Sequence, residues 1–423
     1  VISNITVPFV GLVDIALVGR MGSSAYIGGV GFGTMVFTLI YSGLYFLRMG
    51  TTGLTAQAYG ASDYRDASNS LLRALFFALC AAALLVLFQD PIKNLLILNL
   101  QGSPEALKIA AEYFSYRIWA APATLSVFVF MGWFIGMQNS KIPMIVTIII
   151  SLTNIVVSAV LVIHFGMKIQ GVALGTVVAQ YTGLLFCLFY FFKKYSRFVR
   201  MFDSKLVFVA GKLKRFFSVN IDIFIRSLLL TGSFFWFNAV SATFGDDVLA
   251  LNTLILQFFW FFSWVADGFA YAGGTLAGRY IGAKDSASLT LAVRKTQLFG
   301  LFMAIGFTLV YIFSVSGVVN LLTDNQAVIS MSKDYYVWIW IMPIISFQAF
   351  LFDGIYVGAT STKTMRNIMI ISVVVIYIPA IYILKYYFGN HGMWAAILLL
   401  LASRGIGLWI FVKKSVLKKA NID

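Results

Sequence analysis

The sequence predicts an all-α, polytopic membrane protein with about twelve transmembrane helices in two pseudo-twofold-related six-helix lobes. Three observations predict it. Of 423 residues, 60% are hydrophobic and 11% charged, the mean hydropathy is +0.90, and apolar stretches of about 18 residues or more recur from end to end. Backbone exposed to lipid must satisfy its own hydrogen bonds, and nothing here shows the short alternating segments of an outer-membrane barrel, which leaves helices. Third, the chain repeats itself at an offset of 222 or 221 residues, in four markers that come in the same order.

Apolar runs place the helices near residues 2–18, 27–58, 66–89, 105–136, 142–164, 171–195, 214–243, 248–280, 288–316, 329–359, 364–387 and 392–414. The second closes on Gly60-Ala-Ser-Asp63 and its repeat partner, the eighth, on Gly282-Ala-Lys-Asp285. Gly132-x-x-x-Gly136 followed by Lys141 ends the fourth, and Gly354-x-x-x-Gly358 followed by Lys363 ends the tenth. Within those same helices Trp119-x-x-Pro122 is matched by Trp340-x-x-Pro343, and Gly171-Val-Ala in the sixth by Gly392-Met-Trp in the twelfth. Paired GxxxG segments allow close helix approach within each lobe. The lobes are expected at 1–200 and 201–423, joined by a basic linker.

Charge gives the topology. The net charge of +15 sits in a few loops, with no aromatic-basic module, so nucleic acid is not the expected partner. Residues 193–215 carry eight Lys or Arg against Asp203, and the tail adds Lys413, Lys414, Lys418 and Lys419, whereas the loops at Asp246-Asp247, at Asp324 and before Glu105 are poor in cations. Cytoplasmic loops of membrane proteins collect Lys and Arg, so the linker and both termini are expected on the cytoplasmic side of the inner membrane. Cys80 and Cys187 lie in apolar helices without a CxxC partner or a His at ligand spacing, and imply neither disulfide nor metal. Val1 starts inside an apolar run without a basic leader, and reads as a first helix missing its beginning rather than a signal peptide.

Two parallel lobes put a binding cavity at the pseudo-twofold axis near the bilayer midplane, and rocking them exposes it to each side in turn. That is transporter architecture. A charge at a helix centre costs about 2.5–3.5 kcal/mol on insertion scales, so each intramembrane ion needs a reason. The candidates are Asp14, Arg48, Asp222, Arg226, Asp267, Asp353 and Arg404; Glu112, Arg117 and His164 are placed near helix ends, within reach of the interface. Asp222 and Arg226 are spaced i, i+4 with the acid first, the order that favours an intrahelical pair, and either that pair or a transport role accounts for them. Asp267 and Asp353 align in the repeat with Tyr45 and Met131, so neither has an acidic counterpart; both either line the second lobe's cavity or accept hydrogen bonds from neighbouring helices. Asp14 has no basic residue within four positions. Burial without a cation favours its protonated form, which it gives up when water or a cationic ligand arrives. Pro8, six residues earlier, removes a backbone hydrogen bond and lets the helix bend there.

The stretch Ser3-Asn-Ile-Thr-Val-Pro8-Phe-Val-Gly-Leu-Val-Asp14 resembles the first helix of the multidrug and toxic compound extrusion (MATE) transporters, DinF-like branch. So do Arg48-Met-Gly-Thr-Thr-Gly-Leu-Thr-Ala-Gln57, Ala266-Asp267-Gly-Phe-Ala270 and Phe352-Asp353-Gly-Ile-Tyr-Val-Gly-Ala-Thr360, and the likeness spans essentially the whole chain. The resemblance implies export of amphipathic organic cations and hydrophobic drugs, driven by inward H+ or Na+, with no other cofactor. It also implies that proton and drug compete at Asp14 and that bending near Pro8 is the switch. The family's fifth-helix pattern Asn-x-x-x-Asp stands here as Asn154-Ile-Val-Val-Ser158, so the second acid is absent, and Thr176 matches a sixth-helix position lining the same lobe. A looser likeness to the NorM-like branch, which uses acids on its seventh and tenth helices for Na+, touches Asp222 and Asp353.

A proton-coupled multidrug antiporter, monomeric and not an enzyme, is therefore the expectation, with Asp14 as principal acid. Na+ coupling through Asp222, Asp267 and Asp353 is the alternative. A flippase for a lipid-linked pyrophosphate would need cavity cations, for which Arg48 and Arg226 are the interior candidates. A membrane enzyme is disfavoured by having only two histidines, His164 and His391, and no nucleophile constellation.

Overall fold

Helix starts and stops follow short-range capping chemistry, and the repeat is visible in it. Residues 17–19, 23–97 and 102–421 are described by the computed structural model. In chain order the helices are α1 (Ser24–Leu44), α2 (Phe46–Gly60), α3 (Tyr64–Leu87), α4 (Gln89–Ile97), α5 (Pro104–Arg117), α6 (Ala121–Gly136), α7 (Lys141–Ala159) and α8 (Ile169–Val199). Then come α9 (Ser204–Val207), α10 (Ala210–Ser241), α11 (Asp246–Gly282), α12 (Ser286–Leu322), α13 (Gln326–Gly358), α14 (Thr362–Ile371) and α15 (Ile378–Ser415). Asp63 caps α3 by accepting from the Asp66 N–H at 2.8 Å, and Asp285, 222 residues later, caps α12 by accepting from the Ser288 N–H at 2.9 Å. Hydrogen bonds from Ser288 hold the Asp285 carboxyl below the usual carboxylate range.

Among the described residues, four non-glycine residues take the left-handed conformation: Ser62, Gln138, Lys284 and Thr360, with φ of 57°, 61°, 55° and 48°. They form two pairs at the repeat offset, each just past a helix that ends in Gly60, Gly136, Gly282 or Gly358. The N–H groups of Asn139, Asp285 and Ser361 then reach back to the carbonyls of Phe134, Tyr280 and Tyr356, all at 2.9 Å. This closure satisfies carbonyls that a helix end otherwise leaves open.

Ten helical stretches among the described residues are long and apolar enough to cross a bilayer. The last, Thr362–Ala420, is 59 residues long, or about 90 Å as a straight helix, three times the hydrocarbon thickness. It turns at Gly389, whose φ of 55° and ψ of −132° suit a residue without Cβ, so it carries the last two predicted helices. The fourth predicted helix is broken into α5 and α6 by a 3-10 turn at Ile118–Ala120, just before Pro122. Proline there offers no N–H to the preceding turn.

Contacts divide the chain into two units, residues 1–55 with 63–216, and 56–62 with 217–423. In the first, the 200–216 stretch is fastened to α3. Asp203 pairs with Arg65 at 2.6 Å, and buried Arg73 donates from Nε to the Val207 carbonyl at 2.9 Å and from Nη2 to that of Leu206 at 3.1 Å. The GxxxG segment of α6 lies so close to α2 that a Cβ on Gly132 would meet the carbonyl of Arg48, and one on Gly136 that of Thr52. The second unit repeats the arrangement, with Gly354 and Gly358 of α13 against the carbonyls of Ala270 and Gly274 of α11. Gly354→Leu is expected to force α11 and α13 apart and cost at least about 1–3 kcal/mol. A fall in the apparent melting temperature of the detergent-purified protein would show it; an unchanged melting curve would contradict this packing.

Candidate functional site

The first unit encloses a cavity of about 620 Å³. Its wall is apolar where Val18, Ile27, Val30, Phe128, Met131 and Ile150 face it, and polar where Thr34, Ser151, Asn154, Thr176 and Gln180 do. Asn154 on α7 and Thr176 on α8 are brought together: the Asn154 Nδ2 donates to Thr176 Oγ1 at 3.0 Å, and the Thr176 hydroxyl donates on to the Val172 carbonyl at 3.3 Å. Ser158 lies one turn further along α7. It is fully buried, sits against Gly175, and is not part of the cavity wall. The Asn154 Oδ1 and Ser158 Oγ atoms are buried without a hydrogen-bond partner among the described residues. Such groups carry a desolvation cost that a ligand, a water or a proton-bearing side chain relieves.

Two guanidiniums also reach this wall. Arg48 donates from Nη1 to the Tyr45 hydroxyl at 2.8 Å and lies 5.4 Å from that ring's centre. Arg117, expected at the interface, is the last residue of α5, next to the 3-10 turn, and lines the cavity. The Trp119-x-x-Pro122 motif was the sequence signal for that break. Glu112 accepts from Gln170 Nε2 at 2.8 Å and lines a separate cavity of about 360 Å³ with Tyr26 and Lys168. Asp14 and Pro8 lie outside the described residues.

The second unit gathers the other intramembrane ions. Asp222 and Arg226 do not pair as their spacing suggests; both turn away from α10. Asp222 accepts from Arg366 Nη1 at 2.6 Å and from the Thr362 hydroxyl at 2.9 Å, both on α14. Arg226 instead forms an ion pair with Asp353 on α13, and Arg404 on α15 bears on the same carboxylate oxygen, Oδ2. Tertiary partners on better-placed helices outcompete the i, i+4 contact, which is worth only about 0.3–0.5 kcal/mol. All three residues of this cluster are buried, and Asp267, half-buried on α11, acts electrostatically on Arg226. No group of three His, Cys, Asp or Glu side chains among the described residues is placed to hold a metal ion.

The comparisons place this architecture. The MatE family model matches residues 1–160 and 223–383. The DNA damage-inducible protein F of Escherichia coli strain K12 is 34% identical over 410 residues, covering 96% of this chain and 88% of that protein. A probable multidrug resistance protein NorM of Thermotoga maritima is 23% identical over 416 residues, covering 92% and 85%. Among solved structures, a MATE in the bent conformation superposes with a TM-score of 0.87 at 20% identity, covering 100% of this chain and 94% of that one. The Vibrio cholerae MATE transporter VcmN in the bent form gives 0.86 at 17%, covering 99% and 95%. The relatives match along nearly the whole length, through both halves of the repeat, and the chain belongs to the MatE family of membrane transporters.

Proposed function

We propose that this protein is a proton-coupled multidrug antiporter of the cytoplasmic membrane, with both termini cytoplasmic, exporting amphipathic organic cations and hydrophobic drugs. Asp14 is the site where proton and drug compete, and bending at Pro8 releases the drug. The observation that carries this reading is the first unit's cavity, whose size suits a drug-sized molecule and whose wall is apolar with a few convergent polar groups. Val18, four residues after Asp14, is part of that wall. On the helix expected from the sequence over 2–18, residues four apart share a face, and it is this expectation that assigns Asp14 to the proposed site.

Coupling by H+ rather than Na+ is supported by the fate of the other acids. Asp353 is ion-paired directly with two guanidiniums and Asp222 with a third, so a Na+ arriving at either has to displace a bound arginine. A pH gradient across liposomes holding the purified protein is therefore expected to drive transport of a cationic dye, and a Na+ gradient at equal pH is not. Full-rate transport on Na+ alone would move the coupling site away from Asp14.

A further inference from the structure

We propose that the smaller cavity of the first unit is a second binding site, for the ammonium-type head of an organic cation, formed by the Glu112 carboxylate and the Tyr26 ring. Its place on an exit route rests on the export reading above; the binding itself does not.

The two cavities of the first unit are built on the same three helices. The larger takes Val30 of α1, Arg117 of α5 and Thr176 of α8, and the smaller takes Tyr26, Glu112 and Gln170 of the same helices in turn. Glu112 precedes Arg117 by five residues and Gln170 precedes Thr176 by six, about 8 Å and about 9 Å of helix rise. The smaller cavity therefore lies one to two turns beyond the larger, where α7 passes into α8 through 165–168, at the end away from the basic linker at 193–215. On the topology proposed above that end is extracellular, so the smaller cavity stands on the outer side of the larger one.

The chemistry of its wall suits a cation. Glu112 accepts from Gln170 Nε2 through Oε1 at 2.8 Å, which orients the carboxylate, while its Oε2 accepts from none of the described residues. The Gln170 carbonyl oxygen is a further acceptor beside it. The Lys168 ammonium lies over the Tyr26 ring, 5.8 Å from its centre, the arrangement in which a ring face attracts a positive charge. Lys168 is exposed, on the turn between α7 and α8. Its ammonium is thus a tethered stand-in that marks where a cation is accepted, and its flexible stem lets it withdraw to water when a ligand arrives. Lys108, one turn before Glu112 on α5, is exposed and not among the residues of this wall. A cation gains Glu112 and the Tyr26 face and displaces only that mobile group, whereas an anion gains Lys168 and meets a carboxylate fixed on a helix. The volume of about 360 Å³, against about 620 Å³ for the larger cavity, suits a small cation or the head of a larger one.

Methionine methyl signals in NMR read the two cavities separately, because Met167 lines the smaller and Met131 the larger. In the full chain with isotope-labelled methionine, the signals being assigned by Met167→Leu and Met131→Leu, tetraethylammonium is expected to shift the Met167 signal saturably. Glu112→Gln should raise the dissociation constant read at Met167 roughly fivefold, the worth of a partly exposed ion pair, and leave any response at Met131 as it was. Lys168→Gln should lower it about twofold, by removing the tethered competitor; Lys168 is exposed, so this variant decides the matter if Glu112→Gln does not fold. A Met167 signal that does not move, a Glu112→Gln variant that binds as the parent does, or a Lys168→Gln variant that fails to tighten binding overturns the site. Benzoate shifting Met167 in the parent but not in Lys168→Gln, with tetraethylammonium inert, would mark an anion site and overturn it too. If the parent moves no organic cation against protons, the exit role falls with the export reading, and the Met167 titration still decides the site.

Discussion

Asp14→Asn is expected to reduce drug-stimulated proton flux in liposomes to the background of protein-free vesicles. Asn keeps the shape and hydrogen-bonding capacity of a neutral Asp but has no proton to exchange, so the loss is chemical rather than architectural. Asp222 and Asp353 do not substitute, because they are committed to Arg366 and to Arg226 with Arg404. Drug binding measured at equilibrium separates the steps: the Asn variant should bind a neutral hydrophobic drug nearly as well as the parent does. Drug-for-proton exchange at the normal rate in this variant would sink the mechanism. Pro8→Ala belongs to the same test, since restoring the backbone N–H should slow turnover more than it weakens binding.

Asp353→Asn is expected to be the most damaging single change in the second unit. Removing one member of a buried ionic cluster leaves uncompensated charge, which costs about 3–5 kcal/mol. Here two guanidiniums share the carboxylate, and Arg404 is only 2% exposed. Poor yield and a melting temperature lowered by about 10 °C follow if each kcal/mol is worth roughly 2–4 °C in a domain of this size. Combining Asp353→Asn with Arg404→Met should recover part of the loss by removing one orphaned cation. A single variant that melts with the parent would mean that water or Asp267 already neutralises the pair.

The helical architecture, the repeat and the close GxxxG approaches were legible because they depend on hydropathy, glycine spacing and capping residues close in sequence. The Asn154 to Thr176 contact was legible only through family resemblance, since twenty-two residues and a turn separate them. Less was legible where long-range geometry decides. Asp222 and Arg226 looked like partners because i, i+4 spacing is all a sequence shows; the residues that claim them, Arg366 and Asp353, lie more than a hundred positions away. Arg117 looked interfacial because it was placed near a helix end; that it lines the first unit's cavity depends on how α5 packs against its neighbours, which spacing alone does not show.

The repeat duplicates backbone and helix caps but not the polar residues of the helix interiors. Asn154 and Thr176 stand opposite Ile376 and Ile397, and Asp353 stands opposite Met131, which lines the first unit's cavity. On the proposed export reading, the residues that line the first unit's cavity and those that hold the second unit together answer to different selection. Exchanges of Met131, Ile150 or Gln180 retune a wall that holds no ionic cluster, so cargo range can drift in small steps with folding preserved. Around Asp353 any change must involve several charges at once, and variation there is expected to be rare and concerted.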